Sequence, residues 1–232
     1  MSITVKPAPA ASPAGDQLSS GDLPKLSDRA YAWIRDALVL LEIRPGDPVN
    51  EERLAAELGM GRTPIREALK RLESELLVVS FPRRGTYAAE INVLDLSHLF
   101  DVRRLLEPLA ARQAAVQASA ADRAGLGRLL DGIGVAGDTV RSSRELLRAD
   151  LSIHRALYAA AHNPFLEDTL TRYDNLATRI WGLVITHVAD VTGHIDQHAA
   201  LLEAVIAADP ETAAQLALEH VTDFHESVRR VL

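Results

Sequence analysis

Asp150 and His154 lie four residues apart in RADLSIHRALYAAAHNPFL, a spacing that puts both on one face of a helix. His198 (IDQHAALLEAV) and His220 (LALEHVTDFH) stand on either side of Asp209-Pro210, at nearly equal distance from it. If that dipeptide joins antiparallel helices, the two imidazoles are neighbours. The four side chains then make an Asp-His-His-His set in a helical core. Imidazole nitrogen with one carboxylate suits a divalent transition metal such as zinc, nickel, iron or manganese. A rival pairing exists, because His194 and His198 are also four apart. The chain has 8 histidines, and His98, His162, His187 and His225 find no such role. A single histidine is more often a surface or hydrogen-bonded group than a ligand.

A second chemistry is written in GRTPIREALKRLE, residues 61–73. Arg62, Thr63 and Arg66 fall within one turn at the start of a helix, with Lys70 and Arg71 a turn later. The helix dipole disfavours cations there, so the placement suggests an anion to be met. Free N–H groups at a helix start bind phosphate. Arginine reads the O6 and N7 edge of guanine through two hydrogen bonds or clamps a phosphate. Pro64 is tolerated in a first turn, where its missing N–H has no intrahelical partner.

The bulk charge hides this patch. The net charge is −7 over 232 residues. Residues 61–84 are nevertheless +3, and residues 93–232 are −6. The basic stretch is what double-stranded DNA would meet. Aromatic residues make up only 4% of the chain, which favours a helical core of Leu, Ala, Val and Ile. There is no cysteine, which excludes disulfides and cysteine-based zinc sites. No apolar run is long enough for a membrane span and no signal-peptide layout opens the chain, so a cytoplasmic protein is expected.

The elements that must hold these residues divide into three stretches. Residues 1–25, rich in Ala, Pro, Ser and Gly, read as a flexible arm. Residues 26–90 read as helix, helix, turn, helix and hairpin. Ser27 is the expected cap of the first helix, Asn50 caps the second, and Gly59 ends it. The third helix runs from about 62 to 76. VVSF and TYAAE are two strands around a tip at Arg83–Gly85. A short helix, a turn and a second helix have helix-turn-helix spacing, and the hairpin adds a wing carrying Arg83, Arg84, Gly85 and Thr86. Residues 93–232 read as six helices at about 94–118, 121–135, 139–161, 165–189, 192–208 and 211–231, which implies an antiparallel bundle. The fold class is therefore mainly α, an N-terminal winged helix-turn-helix followed by a helical bundle.

The stretch RPGDPVNEERLAAELGMGRTPIREALKRLESELLVVSFPRRGTYAAE resembles the winged helix-turn-helix of the GntR family of bacterial transcription regulators. The matching residues are Pro45-Gly46, Asn50-Glu51, Leu54-Ala55, Arg62-Thr63-Pro64, Arg66-Glu67-Ala68-Leu69 and Gly85-Thr86. Gly61 stands where the family usually has a capping serine. Leu76 stands where a glycine commonly ends the recognition helix, so a turn of different construction is expected there. Residues 93–231 are similar to the FCD ligand-binding domain of the FadR subgroup, with a helix count nearer the six-helix VanR type. That resemblance implies a divalent metal on Asp150, His154, His198 and His220. Two winged helices can match a palindromic pair of half-sites, so a homodimer on a palindromic operator is expected. The coordination positions such a metal leaves open could take a small carboxylate effector. Arg103 matches the family's V-R-x-x-L-E pattern and is an expected effector contact, although Glu107 can hold it in a structural ion pair instead. Asn175 and Arg179 are further pocket candidates. No catalytic residue is assigned and the chain is expected not to be an enzyme. The alternative is a helical metalloenzyme acting on a small organic acid, but no H-E-x-x-H motif supplies a general base.

Overall fold

The structure, a computed structural model, describes residues 25–135, 142–187 and 191–232. The expected arm falls outside the described residues except for Lys25, and so do the expected break at Gly137 and residues 188–189 of the fourth bundle helix.

Helix α1 spans Leu26–Val39 and buries Tyr31, Ile34 and Leu38. It starts one residue before the expected cap. The carbonyl of Lys25 accepts from the amides of Asp28 and Arg29, at 3.0 and 3.1 Å, so Ser27 lies inside the first turn and caps nothing. Strand β1 (Pro48–Val49) follows, then helix α2 (Glu51–Leu58). Asn50 Oδ1 accepts from the amides of Glu52 and Arg53, and Gly59 closes α2 in the left-handed conformation, at φ 63°. Both roles follow from residue type.

Helix α3 spans Arg62–Ser74 and buries Ile65, Ala68, Leu69 and Leu72 against α1 and α2. The hairpin is strand β2 (Val78–Phe81) with strand β3 (Gly85–Ala88), in register Phe81↔Gly85. Arg83 and Gly85 both take positive φ at the tip. β1, unforeseen in the sequence, pairs antiparallel with β3 and makes the sheet three-stranded in order β1-β3-β2.

The expected change at Leu76 does not occur. Leu76 adopts φ 64° itself. The amide of Leu77 donates to the carbonyl of Leu72 and that of Leu76 to Glu73, at 3.0 and 3.1 Å. This is the hydrogen-bond pattern that glycine usually supports at a helix end. It is kept here with a leucine in the strained position.

The remaining helices are α4 (Asp95–Gln117), α5 (Ala120–Val135), α6 (Ser143–Ala160), α7 (Pro164–Val184), α8 (Val191–Ile206) and α9 (Pro210–Arg229). α6 begins at Ser143, behind a capping box formed by Ser142 and Glu145, and the expected start at 139 lies outside the described residues. A 3-10 turn, Ile185–His187, ends the expected fourth helix early. α4 packs along α9, α8 on α9 and α6 on α7. Asp209, the cap of α9, turns the chain so that α8 and α9 run antiparallel.

The winged helix docks on α6 and α7. Asp36 pairs with Arg155 at 2.9 Å and Glu42 with Arg148 at 2.8 Å. At Gly182 the Leu41 side chain approaches to 2.9 Å of where a Cβ would stand, which a larger residue would block.

Candidate functional site

α6 presents Asp150 and His154 on one face, α8 presents His198 and α9 presents His220, all buried. One ligand atom from each lies within 4.8 Å of the others. His154 Nε2 is 3.3 Å from His198 Nε2 and 3.3 Å from His220 Nε2. Asp150 Oδ1 is 3.7 Å from His154 Nε2 and 3.6 Å from His198 Nε2.

The outer ring nitrogens decide what the inner ones carry. His198 Nδ1 faces the Ile195 carbonyl at 3.3 Å. His220 Nδ1 faces Gln197 Oε1 at 3.3 Å, and the amide group of Gln197 is oriented by its donation to Asp223. His154 Nδ1 faces Tyr158 Oη at 3.1 Å, and that hydroxyl donates to Glu107. Each Nδ1 thus meets an acceptor and carries the proton, an assignment made from hydrogen-bond partners. In the neutral rings three Nε2 lone pairs then point at one another beside a carboxylate oxygen. Such a set can hold a cation at its centre, since metal–ligand bonds of about 2.1 Å give ligand separations of about 3–4 Å.

The electrostatics keep two of the three rings neutral. Burial pushes His198 down to about 3, and His154 and His194 add to the effect against the pull of Asp150. His220 is held well below its usual range by burial and by His198, His194 and His154. His154 goes the other way. Burial opposes its charge, but Asp174, Asp150 and Glu107 together raise it. Burial works to raise Asp150, yet His154, His194 and His198 outweigh it and hold the carboxyl low.

His194, the rival of the sequence reading, stands beside the set. Its Nε2 is 3.4 Å from Asp150 Oδ1, its ring stacks on His220 with centroids 4.4 Å apart, and Trp181 meets it edge-on.

Arg103 is buried between two carboxylates. Its Nε donates to Glu107 at 2.5 Å and its Nη2 to Asp174 Oδ1 at 3.2 Å. Asp174 is a participant that sequence reasoning missed. It lies 71 residues from Arg103, and its only local signal is an acid on an otherwise buried helix face. The cavity beside Arg103 and Phe224 holds about 10 Å³, the size of one water. Asn175 faces Arg155, whose Nη2 donates to its Oδ1 at 3.2 Å. Arg179 lies at the seam with the wing and donates to the Ala89 carbonyl. Neither joins the cluster.

On the opposite end of the chain, Arg62, Thr63, Arg66 and Lys70 are exposed on α3, with Arg83, Arg84 and Gly85 exposed at the wing tip and Thr86 half-buried beside them. Arg66 Nε donates to Glu51 at 2.7 Å and Arg62 Nη1 to Glu52 at 3.3 Å. Gly61 caps α3 through its backbone alone.

Residues 26–88 match the family model described as bacterial regulatory proteins, gntR family, and residues 98–223, more than half of the chain, match the FCD domain. The chain belongs to the GntR family of bacterial regulators. It is 27% identical to the uncharacterized HTH-type transcriptional regulator YdhC of Bacillus subtilis, over 82% of this chain and 84% of that one. It is 23% identical to the HTH-type transcriptional repressor RspR of Escherichia coli, over 89% and 90% of the two chains. Among solved structures, E. coli McbR/YncC superposes with a TM-score of 0.75 at 22% identity, covering 90% of this chain and 99% of that one, which speaks for the fold. Within the GntR family this chain is of the kind that pairs the helix-turn-helix with an FCD domain, and its relatives are transcriptional regulators. Among the described residues no helix is long and apolar enough to cross a membrane.

Proposed function

We propose that the protein is a metabolite-responsive transcriptional regulator, active as a homodimer on a palindromic operator. Arg62, Thr63 and Arg66 enter the major groove, Lys70 contacts backbone phosphate, and Arg83, Arg84, Gly85 and Thr86 of the wing reach the flanking backbone or minor groove. The exposure of these cations on an otherwise acidic chain supports this role.

Control is assigned to the bundle, and one observation carries that assignment: three Nε2 lone pairs and Asp150 Oδ1 converge in a buried space. Asp150, His154, His198 and His220 would hold a divalent transition metal of the zinc, nickel, iron or manganese kind. Such an ion supplies a Lewis-acid position that a small carboxylate effector can take. The void beside Arg103 is far smaller than any such acid. An effector therefore has to part α4 from α9 to reach the cluster. Binding that favours one packing of the bundle is what allows it to shift the winged helices.

The test uses protein stripped with chelator and then reloaded with zinc, nickel or manganese. Binding to a duplex selected from a random pool is followed by fluorescence anisotropy while sugar acids, lactate-like acids and aromatic acids are screened. The expected result is one metal per chain and an acid that changes duplex affinity only in the reloaded protein. Turnover of an acid would instead favour the metalloenzyme. A chain that takes up no metal would sink the assignment of the cluster.

A further inference from the structure

Between the wing and the bundle lies a cavity of about 400 Å³. Leu76, Val79 and Ile91 wall it on the wing side, and Leu99, Leu176 and Ile180 on the side of α4 and α7. Clefts of about 300–1,000 Å³ with apolar walls and a few fixed polar groups are the usual form of a small-molecule site.

Arg179 lines this cavity and is 2% exposed. Its Nη2 donates to the Ala89 carbonyl at 2.5 Å, its Nε has no acceptor, and no carboxylate reaches ion-pair distance of it among the described residues. Two of the acids that also line the cavity have other partners. Glu73 Oε1 accepts from the amide of Ser80 at 2.9 Å, and Asp95 Oδ1 accepts from Asn92 Nδ2 at 2.9 Å. Glu90 folds back over Gly46, with Oε1 2.6 Å from where a Cβ would stand. Burial lowers Arg179 to about 10, and Glu90 only partly offsets it. A buried cation with no carboxylate in direct contact is costly, and a bound carboxylate relieves it through two parallel hydrogen bonds.

We propose that this cavity is a second ligand site, separate from the histidine cluster, and that it takes an amphipathic monocarboxylate. The carboxylate sits on the free side of Arg179 and the apolar body lies against Leu76, Leu99 and Leu176. One wall belongs to the winged helix and the other to the bundle. A molecule bound there sets the arrangement of the two directly, without passing through the core.

Octanoate titrated calorimetrically into the full chain in excess chelator tests this, because the histidine cluster then holds no metal for a carboxylate to reach. Saturable binding at one site per chain is expected, with Kd of about 1 mM or tighter. Arg179→Gln should weaken it at least tenfold. Val79→Trp fills the half-exposed mouth while keeping Arg179, so it should weaken binding as strongly and leave the melting temperature of the unliganded protein unchanged. Absence of saturable binding to the chelated wild type, or equal affinity in wild type and both variants, overturns the proposal.

Discussion

Arg66 Nε donates to Glu51 Oε2 at 2.7 Å and so ties the first turn of the recognition helix to the first turn of α2. Both side chains are partly exposed, and a pair of this kind adds little to stability. If Arg66 contacts DNA as proposed, the pair would hold its guanidinium in place before DNA arrives. Arg66→Ala should lower affinity for a selected duplex by about 1–3 kcal/mol. The unfolding free energy should move by no more than about 0.5 kcal/mol. Glu51→Gln should do something different: non-specific affinity rises because a negative charge leaves the surface, and the ratio of specific to non-specific binding falls. Anisotropy on the selected and a scrambled duplex at two salt concentrations separates the two. Unchanged binding by the alanine variant removes Arg66 from the interface.

Much of this architecture was legible because it is written in local chemistry. Asn50 and Gly59 bound α2 through a side-chain acceptor and a left-handed residue, and Asp209-Pro210 sets the antiparallel step that brings His198 beside His220. Long-range partners were not legible. β1 is two residues long and exists only because β3 is there to pair with it. Asp174 meets Arg103 through the packing of α4 on α7, which no spacing rule gives. Arg179, five residues beyond Asp174, turns instead toward the wing.

Arg103 is held by Glu107 and Asp174 inside the bundle. If those pairs are its main role, Arg103→Met leaves two buried carboxylates without their counter-ion. The loss should be about 3–5 kcal/mol in chelated protein with no effector present. Urea unfolding measures it, and Asp174→Asn added to the same chain should recover part of the loss. A variant as stable as the wild type would mean that the guanidinium is free to serve a ligand.

The cluster also predicts how metal uptake depends on pH. His198 titrates near 3 and His220 well below its usual range, so both are already unprotonated at neutral pH. His154 is raised by Asp174, Asp150 and Glu107, so of the three rings it is the one that most readily takes a second proton, at Nε2. Uptake should therefore displace one proton rather than three. Apparent metal affinity should fall by about tenfold per pH unit as pH drops below the raised value of His154. Calorimetry in two buffers of different ionisation enthalpy counts the released protons. A dependence near a thousandfold per unit would show that all three rings are protonated in the metal-free state.

Leu76 sits at φ 64° at the end of α3, 57% exposed. A left-handed residue with a Cβ costs about 1–2 kcal/mol, while glycine loses about 0.5–1 kcal/mol more chain entropy on folding than alanine. Leu76→Gly should therefore stabilise the fold by about 0.5 kcal/mol, since so exposed a side chain gives up little packing. Leu77 is the contrast. It is fully buried, and its amide makes the 3.0 Å bond to Leu72 that closes the turn. Leu77→Ala should cost about 2–5 kcal/mol. Denaturant midpoints of the two variants, taken with unchanged slopes, give both numbers. A Leu76→Gly variant that loses more than about 1 kcal/mol would mean that this leucine is held left-handed for its contacts with the seam, and that those contacts outweigh the strain.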